Sequence, residues 1–279
     1  MEGRPFFEYS AEPVLRRPKQ FFKLMFRDAK GCGHLVMRLL QRNFASQYRQ
    51  FALGLLWLVL PGVISAFVLL FSQSGSLVTD RSFAVQTFLG TLTWQTFVEA
   101  VYSPFRQIMG ATSLLKNVNF PREALLWASF LEVLTTFLIR VGLMVLALVV
   151  LGGPITFQST AGLLSGAVLV LFGLTLGLAI IPIGMLFRDV ERGLAIVMTA
   201  LFFLTPTVYK TQPNATLNSW IQTNPISILY YTLSDSLIFG RATHVSEVLW
   251  IGTASLAALM VAWVLCRIAL PHCLQRVSV

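Results

Sequence analysis

Leu115-Lys116-Asn117-Val118-Asn119-Phe120-Pro121-Arg122-Glu123 is a short polar break between two long apolar runs. Each flanking run is about long enough to cross a bilayer. The break carries charge of both signs and a proline, more than a simple turn requires. The composition agrees with this reading: the chain has 279 residues, is 56% hydrophobic and 12% charged, and has a mean hydropathy of +0.72. A soluble domain carries about 25% charged residues. The bilayer is therefore the solvent for most of the chain, and its apolar runs read as helices, because lipid leaves backbone groups no outside partner. The net charge of +9 is assigned to the membrane borders, where cations set topology and meet anionic lipid, and not to a nucleic-acid partner.

In chain order, residues 1–20 read as a polar, proline-containing tail. From His34 on, Arg38, Arg42 and Arg49 share a narrow arc at helical spacing, with Leu35, Val36, Leu39, Leu40 and Phe44 opposite. That pattern predicts an amphipathic helix lying in the membrane interface. Phe51–Ser72 is the first expected crossing, free of charge and containing Trp57 and Pro61. Phe83–Ser103 is the second and the most polar, with Gln86, Thr87, Thr91, Thr93, Gln95, Thr96 and Glu99; such a helix faces the bundle interior or a cavity, not lipid all round. The third, about Ala124–Leu151, carries Glu132, Thr136 and Arg140 four residues apart on one face. Opposite charges there are expected to pair with each other or with a neighbouring helix. The fourth, Ala161–Phe187, holds Gly162, Gly166, Gly173, Gly177 and Gly184 at spacings of 4, 7, 4 and 7, a small-residue stripe that admits another helix closely. The fifth, about Gly193–Tyr209, follows the charged connector Arg188-Asp189-Val190-Glu191-Arg192. Ile226–Phe239 is too short to cross and reads as re-entrant or interfacial, started by Asn224-Pro225 and ended by Gly240. The last crossing is about Val248–Ile268.

The expected fold class is an all-α membrane protein. It has six transmembrane helices, an N-terminal amphipathic interface helix and re-entrant external helices between spans five and six. Six crossings place both termini on one side. Seventeen of the 21 Lys and Arg then fall on that side and three (Arg81, Lys210, Arg241) on the other, with Arg140 inside a span. The termini are accordingly expected in the cytoplasm. The expected divisions are a cytoplasmic tail and interface helix at 1–50, the six-span domain at 51–269, and a cytoplasmic tail at 270–279.

Little points to catalysis. The chain lacks the Gly-x-x-x-x-Gly-Lys-Ser/Thr loop and the His-Glu-x-x-His and Gly-x-Ser-x-Gly motifs. The first twenty residues lack the apolar core of a secretory signal. Cys32, Cys266 and Cys273 show no paired spacing and are expected to be free thiols; the three histidines have no metal-site spacing, so no metal is expected. Transport remains, with Glu99, Glu132 and Arg140 as the membrane-embedded charges and no visible ion-coupling set. Energy then comes from another subunit, and the 115–123 break becomes a receiver of force.

The order of short motifs is what carries a family resemblance. After the amphipathic helix come Gln47-Tyr48-Arg49, Leu53-Gly54-Leu55-Leu56-Trp57 and Pro61, then Leu115-Lys116 with Phe120-Pro121-Arg122-Glu123. Arg188-Asp189-Val190, Thr205-Pro206 with Tyr209, and Asn224-Pro225 complete the series. From about residue 20 onward the chain resembles the membrane subunit of ABC-2 type polysaccharide exporters, which move O-antigen, capsule and teichoic acid chains. The resemblance implies an inner-membrane homodimer with two separate ATPase subunits, which bind the ATP and Mg. It also implies a polyprenyl-diphosphate-linked polysaccharide as substrate and no cofactor in this chain. By position, Lys116, Asn117, Phe120, Pro121, Arg122 and Glu123 would couple to the ATPase. Arg49 would meet the lipid diphosphate, or simply anchor the chain at the inner headgroups. Phe67, Phe71, Trp94, Tyr102 and Tyr209 are candidates for an aromatic sugar path; packing or belt positions are the other account of them. A permease for a small lipid or drug, and a membrane enzyme acting on lipid-linked sugar, are the alternatives.

Overall fold

The computed structural model describes residues 27, 31–48, 56–72, 81–112, 122–151, 156–187, 189–207, 221 and 223–276. Among them the chain is helical and no strand occurs. The helices are α1 (Gly33–Tyr48), α2 (Leu56–Ser72), α3 (Arg81–Gly110), α4 (Arg122–Leu151), α5 (Ser159–Leu186), α6 (Val190–Leu204), α7 (Pro225–Ile238) and α8 (Val245–Arg276). Three contain stretches long and apolar enough to cross a membrane: Glu123–Val150, Ser159–Leu186 and Val245–Leu270. The other expected crossings fall on α2 with 17 residues, on the polar α3 with 30, and on α6 with 15. The exterior is apolar: Leu138 and Leu146 on α4 and Trp250, Leu256 and Leu265 on α8 all stand exposed. That is the surface expected where lipid is the solvent.

α5 is the axis of the bundle and the most buried of the three long apolar helices. Its glycine stripe is shared by three partners, with Gly166 in between meeting Phe137 of α4 and Leu233 of α7. Towards one end, positions 173, 177 and 184 receive α3 at Ala100, Val101 and Phe105; towards the other, Gly162 receives Ser236 of α7. A methyl group at Gly177 would lie 2.3 Å from the Val101 carbonyl oxygen, so the two backbones are in near contact. α3 turns its polar side inward, with Thr87, Thr91, Thr93, Thr96 and Ser103 buried. Three of these hydroxyls donate to the carbonyl one turn back: Thr91 to Thr87, Thr93 to Leu89 and Thr96 to Leu92, at 2.7–2.8 Å. Such bonds satisfy the hydroxyl without leaving the helix.

Several boundaries differ from the sequence expectation. α3 does not stop at Ser103 but runs through Pro104 to Gly110, so the stretch after the second expected crossing begins as helix. A proline inside a helix loses its N–H bond and crowds the carbonyl one turn back, and here Phe105, lodged against Gly184, holds the following turn on α5. α8 likewise continues to Arg276, so residues 270–276, expected as tail, are helical, with Leu270 and Cys273 buried. α6 ends at Leu204, earlier than the expected 209. The chain then turns at Thr205-Pro206-Thr207 to bring the Thr207 carbonyl against Gly90 of α3, where a methyl would sit 2.5 Å away.

α1 is amphipathic as expected, with Val36 and Leu39 buried and Arg38 and Arg42 exposed. It does not merely lie at an interface. Val36 and Leu39 join one apolar cluster with Ile108 of α3, Leu125 of α4 and Leu270 of α8, which docks α1 on the bundle itself. α7 has 14 residues and starts as predicted: Asn224 caps it by accepting from the Ile226 N–H at 3.1 Å, with Pro225 in the first turn. It ends at Gly240 in the left-handed region, φ 62. Burial pushes the Asp235 carboxyl near that end above its usual range, against the hydrogen bond that Thr243 donates to it. Cys32, Cys266 and Cys273 are all buried.

Candidate functional site

Glu99, Glu132 and Arg140 converge on the seam between α3 and α4. Glu132, Thr136 and Arg140 do share one face of α4, and that face meets α3. Arg140 does not pair with Glu132. Its Nη2 lies 2.7 Å from Glu99 Oε2, and its Nη1 donates to Thr96 Oγ1 at 3.3 Å. Arg140 is 5% exposed, so the pair is a buried one. Two turns along each helix, Gln107 Nε2 donates to Glu132 Oε2 at 2.7 Å. As the residue number rises on α3 it falls on α4, so the helices run antiparallel and the two contacts are rungs of one ladder.

The second rung lies at the α1 end. Asn43 Nδ2 of α1 donates to the same Glu132 oxygen at 3.1 Å. A cavity of about 250 Å³ opens beside it, lined by Arg42, Asn43, Ser103, Arg106, Gln107 and Glu132 among others. At the start of α4, Glu123 and Arg267 of α8 form an ion pair. Glu123 is buried, so its carboxylate is occupied within the chain and does not stand free at the surface.

The aromatic candidates are dispersed. Phe67 on α2 is 66% exposed. Trp94 packs its ring against Phe97 and Phe202, with centroids 5.6 and 5.4 Å apart. Tyr102, two turns further along α3, is partly buried against an apolar cluster of Phe97, Val101, Leu169 and Met198 that Trp94 also packs on. Phe71 lies in α2 and its side chain is outside the described residues; so is that of Arg122 at the start of α4. Arg49, Lys116, Asn117, Phe120, Pro121 and Tyr209 lie outside the described residues altogether.

Asn43, Gln107 and Arg267 were missed by sequence reasoning, and Thr96 was read only as an inward-facing polar residue. For Gln107 there was a signal: Glu99, Ser103 and Gln107 follow each other at four-residue spacing, but the expected crossing stops at Ser103. Asn43 is an ordinary polar residue in a basic segment, and nothing local marks it.

No family model matches the chain. Over 185 residues it is 30% identical to "O-antigen export system permease protein RfbA" of Myxococcus xanthus, covering 63% of this chain and 68% of that protein. Over 215 residues it is 22% identical to the protein of the same name from Klebsiella pneumoniae, covering 75% and 82%.

Proposed function

The chain belongs to the family of O-antigen export system permeases, and from that premise we propose that it is the membrane permease subunit of an ABC transporter exporting O-antigen across the bacterial inner membrane. The observation that carries this is the 30% identity over 68% of the Myxococcus xanthus permease. The all-helical, apolar-surfaced bundle supports it physically. The chain is a transport subunit and not an enzyme; a separate ATPase subunit binds ATP and Mg and supplies the work.

In this reading two copies of the chain form a homodimer with two ATPase subunits, and the cargo is a polysaccharide joined to a polyprenyl diphosphate. Both termini are cytoplasmic, which puts α1, the end of α3 and the start of α4 on the side of the motor. The charge distribution supports that orientation, since a strong excess of Lys and Arg falls there. The fold runs as six spans, with α7 dipping into the outer face as a re-entrant segment. Lys116, Asn117, Phe120, Pro121, Arg122 and Glu123 form the coupling region, with Glu123 acting through its bond to Arg267 and not by direct contact. Arg49 engages the lipid diphosphate, for which a guanidinium is suited by its bidentate geometry. Among the aromatic candidates, Phe67 touches sugar, a role its exposure supports, whereas Trp94 first of all holds α3 to α6.

Deleting the gene tests the function. The reading predicts loss of surface O-antigen and build-up of lipid-linked polymer inside the cell, restored by the gene in trans. Normal surface O-antigen with altered efflux of a small lipid or drug would favour the alternative permease.

A further inference from the structure

We propose that Glu132 is a positioning residue that latches α1 to the membrane bundle and passes the motor's stroke from α1 into α3 and α4. The proposal rests on the reading above, in which an outside ATPase pushes at the α1 end. Glu132 is 3% exposed, and one of its oxygens accepts from two other helices: from Gln107 on α3 at 2.7 Å and from Asn43 on α1 at 3.1 Å. Three helices therefore meet at one carboxylate oxygen.

The apolar contact between α1 and the bundle, through Val36 and Leu39, is non-directional and tolerates sliding. A hydrogen bond to a buried carboxylate is directional and stronger than one between neutral groups. The latch thus fixes where along α4 the amphipathic helix sits. It also has a second state available. The adjoining cavity of about 250 Å³ is walled by Asn43, Gln107 and Glu132 themselves, room for several waters. If Asn43 withdraws, water from that cavity can take its place on the carboxylate while Gln107 stays bound. From Glu132 the same face of α4 leads two turns on to Arg140, fixed to Glu99 at 2.7 Å. Movement imposed at the latch is handed along the seam by rungs of fixed partners.

The test uses the permease with its ATPase in vesicles and reads polymer exported per ATP hydrolysed. Asn43→Asp sets a second carboxylate against Glu132; the ratio falls about tenfold, while the amount of complex and its ATP hydrolysis hold. Adding Glu132→Gln to Asn43→Asp restores the pairing, because the new amide donates to the new carboxylate and its oxygen still accepts from Gln107. The double variant recovers the wild-type ratio. A purely structural contact would move protein yield and not this ratio. Asn43→Ala is the second probe should the Asp variant fail to accumulate: it removes only the α1 rung and lowers the same ratio. An unchanged ratio in whichever Asn43 variants accumulate, or a double variant as uncoupled as Asn43→Asp, overturns the latch. A wild-type complex that exports no polymer overturns the proposed function instead.

Discussion

Arg140 and Glu99 make each other tolerable inside the bundle. A guanidinium only 5% exposed is far more costly alone than beside a carboxylate, and the converse holds for Glu99. Arg140→Leu therefore leaves a buried, unpaired charge and should destabilise the fold by about 3–5 kcal/mol. Adding Glu99→Leu should recover much of that loss, since replacing a whole buried pair by apolar groups is often neutral. Thermal stability in detergent measures both; a double variant as unstable as the single one would contradict the account. The aromatic residues separate in the same way. Trp94 is gripped by Phe97 and Phe202, so Trp94→Ala should cost about 3–5 kcal/mol of stability. Phe67 is exposed, so Phe67→Ala should leave the amount of protein in the membrane unchanged and lower polymer export. Quantifying membrane-bound protein alongside surface polymer distinguishes the two.

At the level of elements, the α3–α5 contact sets the geometry of the seam. A methyl at Gly177 would sit 2.3 Å from a backbone oxygen that cannot rotate away, so Gly177→Ala should push α3 off α5 and cost about 1–3 kcal/mol. Gly142 on α4 has open space around it, and Gly142→Ala should be neutral or mildly stabilising; a denaturation series on the two variants checks the contrast. The glycine stripe was legible in the sequence because small residues at helical spacing have a single packing use, although that α3, α4 and α7 divide the stripe was not. The helices were readable to within a few residues wherever apolar length or a cap defined them, as at Asn224-Pro225 and Gly240. They were misread where tertiary contact overrode a local signal. Pro104 marks a helix end in isolation, yet Phe105 on Gly184 carries α3 to Gly110. Charges on one face of α4 could be foreseen, but the partner of each could not. Periodicity shows which face a residue occupies and says nothing of which helix lies opposite. The choice of Glu99 for Arg140 and of Gln107 and Asn43 for Glu132 is a property of the assembled bundle.

For the whole molecule, the account joins a motor outside the membrane to a path within it. Reversing the charges of Lys116 and Arg122 should uncouple ATP hydrolysis from export without lowering the amount of folded permease. Coupling that survives would place the push on α1 alone. The most direct measurement reconstitutes the chain with its ATPase in vesicles and follows polyprenyl-diphosphate-linked O-antigen across the bilayer. The account predicts transfer that requires ATP and both subunits together. Transfer with the permease alone, or turnover of the lipid-linked sugar by this chain without ATP, would contradict it.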